Sequence, residues 1–270
     1  MQNKSLIGKS NALIDAYYSL TVREHQFIAF AVASIQRNDI QLKSLSITIT
    51  LSEFAQFFSL DEKQIRPSQI LASADRLYER DIRIIDGDIE TRCRWLTSIE
   101  KHKQTGKVIL RFSPEILPHL TGLRKNYTLY TIGILKNFKS QYTFPVYELL
   151  AKTRNMREEI FCISIENLRE KLEIGNKYKL FADLRKKVIE PVFSDLENCT
   201  DLHISWELIK KGRTYTHIQV IFSESKAATP PKKKAKPKRV KKITDADLAK
   251  HAKPGETAEQ ARARLSKVLA

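Results

Sequence analysis

The sequence predicts an α+β chain in which one structural unit occurs twice, followed by a basic tail with no fold of its own. Three observations carry that prediction. ITITLSEFAQFFSL, residues 47–60, aligns with FCISIENLREKLEI, residues 161–174, each running from a β-prone start into a short amphipathic helix. The segments after these two also match: a second helix with apolar residues at 3.6 spacing, then two strands joined by a polar turn. Finally, nine of the sixteen excess positive charges fall between Lys226 and Lys242, where no acid occurs.

With 270 residues and 42% hydrophobic content, the chain can bury two cores of ordinary size. Its opening, MQNKSLIGKSNALIDAYYSLT, holds Gly8-Lys9-Ser10, the end of a phosphate-binding loop. Such a loop needs G-x-x-x-x-G-K-[ST] after a buried strand, so that backbone N–H groups cradle the phosphates. Asn3 stands where the first glycine belongs, and no apolar strand precedes it. The stretch therefore reads as a helix start, capped by Ser10 or Asn11, with Leu13, Ile14, Tyr17 and Tyr18 on one face.

In the first copy a helix is expected from Thr21 to Ile35, a second helix headed by Ser52, and a third carrying Ile70, Ala74 and Leu77. Strands come next at about 91–100 and 107–112, joined through Lys103–Gly106. The second copy repeats the order. Its first helix runs from Tyr142 to Arg154, the next is headed by Glu166, and the third carries Leu184, Val188 and Val192. Its strands are 202–209 and 215–222, joined through Lys210-Lys211-Gly212-Arg213-Thr214, and Trp95 and Trp206 fall at matching places. Helix, strand, helix, turn, helix and hairpin is the order of a winged helix. In that unit the third helix fits a DNA major groove while the hairpin, the wing, touches flanking backbone. The expected architecture is thus tandem duplicated winged-helix domains with a disordered basic C-terminal tail. Residues 1–125 form domain 1, 126–225 domain 2, and 226–270 a basic linker and weakly helical tail, with its helix-forming stretch at 256–269.

The chemistry expected is nucleic-acid binding. On a helix through IGNKYKLFADLRKKVIEPVF, Phe181, Leu184, Val188 and Val192 share one face, leaving Lys179, Ala182 and Lys186 opposite and Arg185 and Lys187 on the flanks. Lys177 precedes that helix, and the wing adds Lys210, Lys211 and Arg213. Cations there bond guanine edges and phosphates, and Ala182 permits close approach to a base. Gly175-Asn176 supplies the turn, and Pro191, lacking an N–H, is expected to kink or end the helix. The equivalent helix of the first copy is less basic, its Arg66, Arg76 and Arg80 being offset by Asp75, Glu79 and Asp81.

No catalytic, metal or cofactor site is expected. Asp86-Gly87-Asp88 with Glu90 reads as a turn between β-prone runs. A nicking enzyme of the rolling-circle kind needs a His-hydrophobic-His pair beside a tyrosine, and the chain has none, so Tyr17-Tyr18 and Tyr127 to Tyr130 read as packing residues. His203 and His217 fall in strands. Cys93, Cys162 and Cys199 are far apart and set among apolar residues, as reduced core thiols would be. No apolar run approaches the length of a membrane span and no signal peptide opens the chain, so a soluble intracellular protein is expected.

Lys9-Ser10-Asn11, Leu13-Ile14, Ala16, Tyr18, Leu20-Thr21 and Glu24 together resemble the opening signature of plasmid replication initiators that bind repeated origin sites, iterons, through two winged-helix domains. The resemblance extends to Asp183-Leu184-Arg185-Lys186-Lys187-Val188, to Lys210-Lys211-Gly212-Arg213 and to Thr216-His217-Ile218, and covers about residues 5–223. It implies a protein of the bacterial cytoplasm with double-stranded origin DNA as partner, read mainly by domain 2; with the helix face and wing read above, the expected DNA-binding residues are Lys177, Lys179, Ala182, Arg185, Lys186, Lys187, Lys210, Lys211 and Arg213. It also implies origin opening and loading of host helicase alongside the host initiator, and repression of the protein's own promoter by dimers formed through domain 1. The competing readings are a winged-helix transcription regulator binding one inverted repeat, and a nicking replication enzyme.

Overall fold

Ile7 and Lys9 are both buried in the computed structural model, although one is apolar and the other charged. The structure describes residues 6–38, 46–61, 65–121, 123 and 125–224; the lysine-rich run and the tail helix expected over 256–269 lie outside the described residues. Ile7 and Lys9 belong to a strand, β1 (Leu6–Ser10), where the sequence predicts none; it pairs antiparallel with residues 127–131, Leu6 opposite Thr131 and Ser10 opposite Tyr127. A short helix comes next, α1 (Asn11–Asp15), capped by Ser10, whose hydroxyl accepts from the Leu13 N–H at 3.1 Å. Tyr17 and Tyr18 lie beyond α1 rather than on it.

In the first copy α2 (Val22–Asn38) leads to β2 (Ser46–Ile49), α3 (Leu51–Phe58) and α4 (Pro67–Tyr78). An inserted hairpin, β3 (Asp81–Asp86) and β4 (Ile89–Arg94), turns at Asp86-Gly87-Asp88 as its residues suggest. Then come the wing strands β5 (Leu96–His102) and β6 (Lys107–Phe112), α5 (Leu117–Leu120) and β7 (Tyr127–Thr131), the partner of β1. The second copy runs α6 (Thr143–Asn155), β8 (Ile160–Ser164), α7 (Ile165–Lys171), α8 (Phe181–Leu184), a π turn (Arg185–Ile189), α9 (Glu190–Cys199), β9 (Leu202–Lys211) and β10 (Thr214–Glu224). The two three-stranded sheets, β2-β6-β5 and β8-β10-β9, place corresponding strands in the same order, so the tandem winged-helix duplication predicted from sequence is present.

Several local expectations are corrected. The caps are Thr50, accepting from Glu53 N–H at 3.3 Å, and Ser164, accepting from Asn167 N–H at 3.0 Å, in place of Ser52 and Glu166. Both have the extended backbone a capping side chain needs to reach back over the first turn. The single strand expected over 91–100 is broken at Trp95, where the chain crosses from the inserted hairpin to the wing. Trp95 is fully buried and edge-on to Tyr18, whereas Trp206 sits within β9 and stacks on Phe193 at 5.0 Å, so the two are not equivalent. The three cysteines are free thiols, but Cys162 is exposed and Cys93 and Cys199 are half-buried rather than core. Tyr127 is likewise partly exposed.

The helix after the second turn does not end at Pro191. It continues from Phe181 to Cys199 because the turn before the proline widens, and Glu190 N–H bonds to the Arg185 carbonyl. In the first copy the wing turn is pressed against the start of α4. Gly106 has φ +67°, and a Cβ added there would lie 2.9 Å from Pro67 Cβ, so only glycine fits.

The two copies are joined by buried polar contacts. Lys9 Nζ pairs with Glu148 of α6 at 2.9 Å, both essentially inaccessible, and the hydroxyls of Tyr18 and Tyr130 donate to the same carboxylate. Lys171 of α7 donates to the carbonyls of Ile14 and Ala16. His25 lies in the same region, 4.8 Å from the Phe144 ring. Burial first, and then the Lys9 and Lys171 charges, hold its pKa well below the usual histidine value. Below pH ~6.5 the unfolded chain therefore takes up a proton that the native ring refuses, and stability falls with falling pH by up to about 1.4 kcal/mol per unit. Denaturant midpoints at pH 7 and pH 5 should show that loss, and His25→Phe should lessen it.

Candidate nucleic-acid interface

The buried face of the second copy's third helix is as its periodicity implies. Leu184, Val188 and Val192 are at most 2% exposed, and with Phe161, Leu168 and Ile218 they line the domain's apolar interior. Burying that face turns the remaining positions outward. Lys177 and Lys179 in the preceding turn, Ala182 on α8, and Arg185, Lys186 and Lys187 on the π turn are all exposed, as are Lys210, Lys211 and Arg213 on the wing.

Phe181 brings these two groups together. Rather than entering the core, its ring stacks on Tyr215 of β10, centroids 4.6 Å apart and planes 24° from parallel. Lys210 Nζ lies 4.6 Å over the same Tyr215 ring. The start of the helix is thereby fastened to the base of the wing. The wing turns through two residues, Gly212-Arg213, since Lys211 already pairs with Thr214, and Gly212 supplies the positive φ of +64°. Arg185 Nε bonds Glu190 at 2.9 Å, with both side chains about half exposed, so the pair is weak and its guanidinium is available to an incoming anion.

The turn before α8 contains a feature that sequence reasoning missed. Arg169, on α7, donates to the carbonyls of Gly175 at 2.8 Å, Lys177 at 2.7 Å and Tyr178 at 3.0 Å. In the sequence it is one of several cations in the last turn of a helix, and nothing in the spacing marks it.

The cations of the corresponding region of the first copy are engaged otherwise than its sequence suggests. Arg76 and Arg80 are not neutralised by neighbouring acids. Both reach back to Glu24 of α2, fully buried, each at 3.1 Å, while Asp75 pairs with Lys101, Glu79 with Arg94 and Asp81 with Arg92. The outward side of α4 includes Ser68, Gln69, Ala72, Asp75 and the half-exposed Arg76, with Arg66 exposed at its N-cap. Among the described residues no group of three or more His, Cys, Asp or Glu could hold a metal ion, and no helix is long and apolar enough to cross a membrane. His203 and His217 are exposed on the wing strands, His217 Nδ1 lying 3.0 Å from Thr216 Oγ1.

Comparison with known proteins agrees with this architecture. A "Replication initiation protein" of Escherichia coli is 25% identical over 220 residues, which are 77% of this chain and 66% of that protein, so the chain spans slightly less than two thirds of its length. An uncharacterized 27.6 kDa protein of the same organism is 19% identical over 79% of the chain and 93% of its own length. Among solved structures, the Pi initiator protein in complex with iteron DNA superposes with a TM-score of 0.68 at 18% identity, covering 84% of this chain and all of that one. The family model described as "Initiator Replication protein, WH1" matches residues 6–151, and its companion, "Initiator Rep protein, WH2", matches 164–222. With both winged-helix domains matched in their proper order, the chain belongs to the initiator replication protein family.

Proposed function

We propose that this protein is a plasmid replication initiator that binds the repeated sequences of an origin, and that its second winged helix is the main reader of those repeats. The carrying observation is the joined basic surface of that domain. An outward face of Lys179, Ala182, Lys186 and Lys187 is fastened by the Phe181–Tyr215 stack to a wing bearing Lys210, Lys211 and Arg213. A helix of that width fits the major groove, and cations on the adjoining hairpin fit the flanking phosphates. The structurally similar Pi initiator was solved with iteron DNA, which supports the same ligand for this fold.

In this reading residues 126–225 read bases, while residues 1–125, whose Arg76 and Arg80 pair with Glu24, contact DNA backbone and a second copy of the chain. Residues 226–270 add sequence-independent attraction through the lysines between 226 and 242. Bound initiator opens neighbouring A·T-rich DNA and brings in the host initiator and helicase. Dimers repress the protein's own promoter. The protein has no catalytic activity of its own, and it works in the bacterial cytoplasm.

Fluorescence anisotropy of the full chain and of residues 1–225, against direct repeats flanking the gene and against shuffled DNA over a salt series, tests the reading. Both forms should prefer the repeats, the shorter with a shallower salt dependence. Arg185→Ala with Lys186→Ala should reduce the preference at least about tenfold. Equal affinity for shuffled DNA, lost together with the tail, would mean a non-specific basic protein.

A further inference from the structure

The turn that delivers the chain into α8 is held more tightly than an exposed turn requires. Glu173, Gly175 and Tyr178 all have positive φ, of 46°, 56° and 53°. A left-handed backbone brings the tyrosine Cβ against its own carbonyl, and such strain persists where the surroundings hold it, commonly at functional sites. The Arg169 fork does the holding: one planar guanidinium takes three carbonyls of this single turn, including that of Tyr178.

The turn presents Leu180. It is the residue that caps α8, in extended conformation with φ −75° and ψ 136°, and its carbonyl accepts from the Asp183 and Leu184 N–H groups. Its side chain is 69% exposed, among Lys177, Lys179 and Ala182, all exposed as well. The first residues of a recognition helix are those that meet base edges. An apolar side chain makes no hydrogen bond there, and the apolar group that a major-groove edge offers is the thymine 5-methyl.

We propose that Leu180 reads a thymine methyl within the repeat, and that Arg169 is a positioning residue that fixes where Leu180 falls along the groove. The inference rests on the reading of α8 as the helix that enters the major groove.

The full-length chain is used to select a duplex from a random-sequence library, and the selected duplex is remade with uracil replacing each thymine in turn, which removes one methyl group and changes no hydrogen-bonding atom. One such replacement should weaken binding about fourfold, the equivalent of one buried methyl group. Leu180→Ala should bind the thymine and uracil duplexes alike. Arg169→Lys keeps the charge but cannot span three carbonyls. Measured well below its thermal midpoint, its ratio of affinity for selected over shuffled DNA should fall about tenfold, with affinity for shuffled DNA unchanged, whereas a general loss of fold would lower both affinities together. If the library yields no enriched sequence, base reading by α8 fails and this inference fails with it. If a sequence is enriched but no uracil weakens binding, or Leu180→Ala retains the wild-type sensitivity, Leu180 is not the reader while the helix assignment stands. An Arg169→Lys protein with an unchanged ratio overturns the positioning role.

Discussion

Glu148→Ala is expected to remove about 3–5 kcal/mol of folding stability, the cost of breaking a buried ion pair by deleting one partner. The carboxylate is fully buried and serves three groups at once: the Lys9 ammonium and the hydroxyls of Tyr18 and Tyr130. Deleting it leaves the buried ammonium without its carboxylate, beside the Phe144 ring at 5.1 Å from its centroid. Burial foremost, reinforced by the Glu148 charge, raises the pKa of both tyrosines well above the ordinary value, so both hydroxyls stay protonated as donors to the carboxylate. Glu148→Gln keeps an oxygen for one hydroxyl and should be less harmful, yet it still strands the charge. Urea unfolding at pH 7, monitored by circular dichroism, measures both. Lys9→Met combined with Glu148→Leu should cost less than the two single losses added together, because no lone charge is left behind. An alanine variant within about 1 kcal/mol of wild type would show that the pair is solvated in solution.

Asp195→Ala should cost about 3 kcal/mol, through lost charge-assisted hydrogen bonds and donors left without partners. One carboxylate oxygen of this α9 residue accepts from the N–H groups of Lys139 and Ser140 and from the Thr143 hydroxyl, each at 2.9 Å. Asp195 thereby holds the approach to α6 from the far end of the helix that carries the exposed Arg185, Lys186 and Lys187. Asp195→Asn keeps an acceptor without the charge and should lose roughly half as much. Hydrogen exchange at the Lys139 and Ser140 amides reports the local effect, and faster exchange there without loss elsewhere would mark a cap rather than a core contact.

The duplication is legible in sequence because apolar spacing is a local signal, and Ile70, Ala74 and Leu77 in one copy and Leu184, Val188 and Val192 in the other are buried as that spacing requires. Outward positions are then obtained by subtraction, which is why the exposure of Lys179, Ala182, Arg185, Lys186 and Lys187 is also readable. Long-range pairing is not. β1 looks polar and glycine-bearing alone, and its partner lies more than a hundred residues away. Nothing near Lys9 or Lys171 in the chain announces that either is buried, since their partners are Glu148 and the carbonyls of Ile14 and Ala16. Arg76 and Arg80 mislead for the same reason, their acid being Glu24 on another helix. The π turn that carries the helix past Pro191 depends on backbone slack that no residue type encodes.

The pairing of Lys9 with Glu148 also sets an order of events during synthesis. At the usual pace of synthesis, on the order of ten seconds separate the two residues, and Lys171 emerges later still. Until then the first copy has no carboxylate for its buried lysine and no ammonium for the carbonyls of Ile14 and Ala16, so the half of the protein made first is completed only after part of the second has emerged. A nascent chain halted before α6 should therefore be protease-sensitive through its opening segment, however well its own three-stranded sheet has formed.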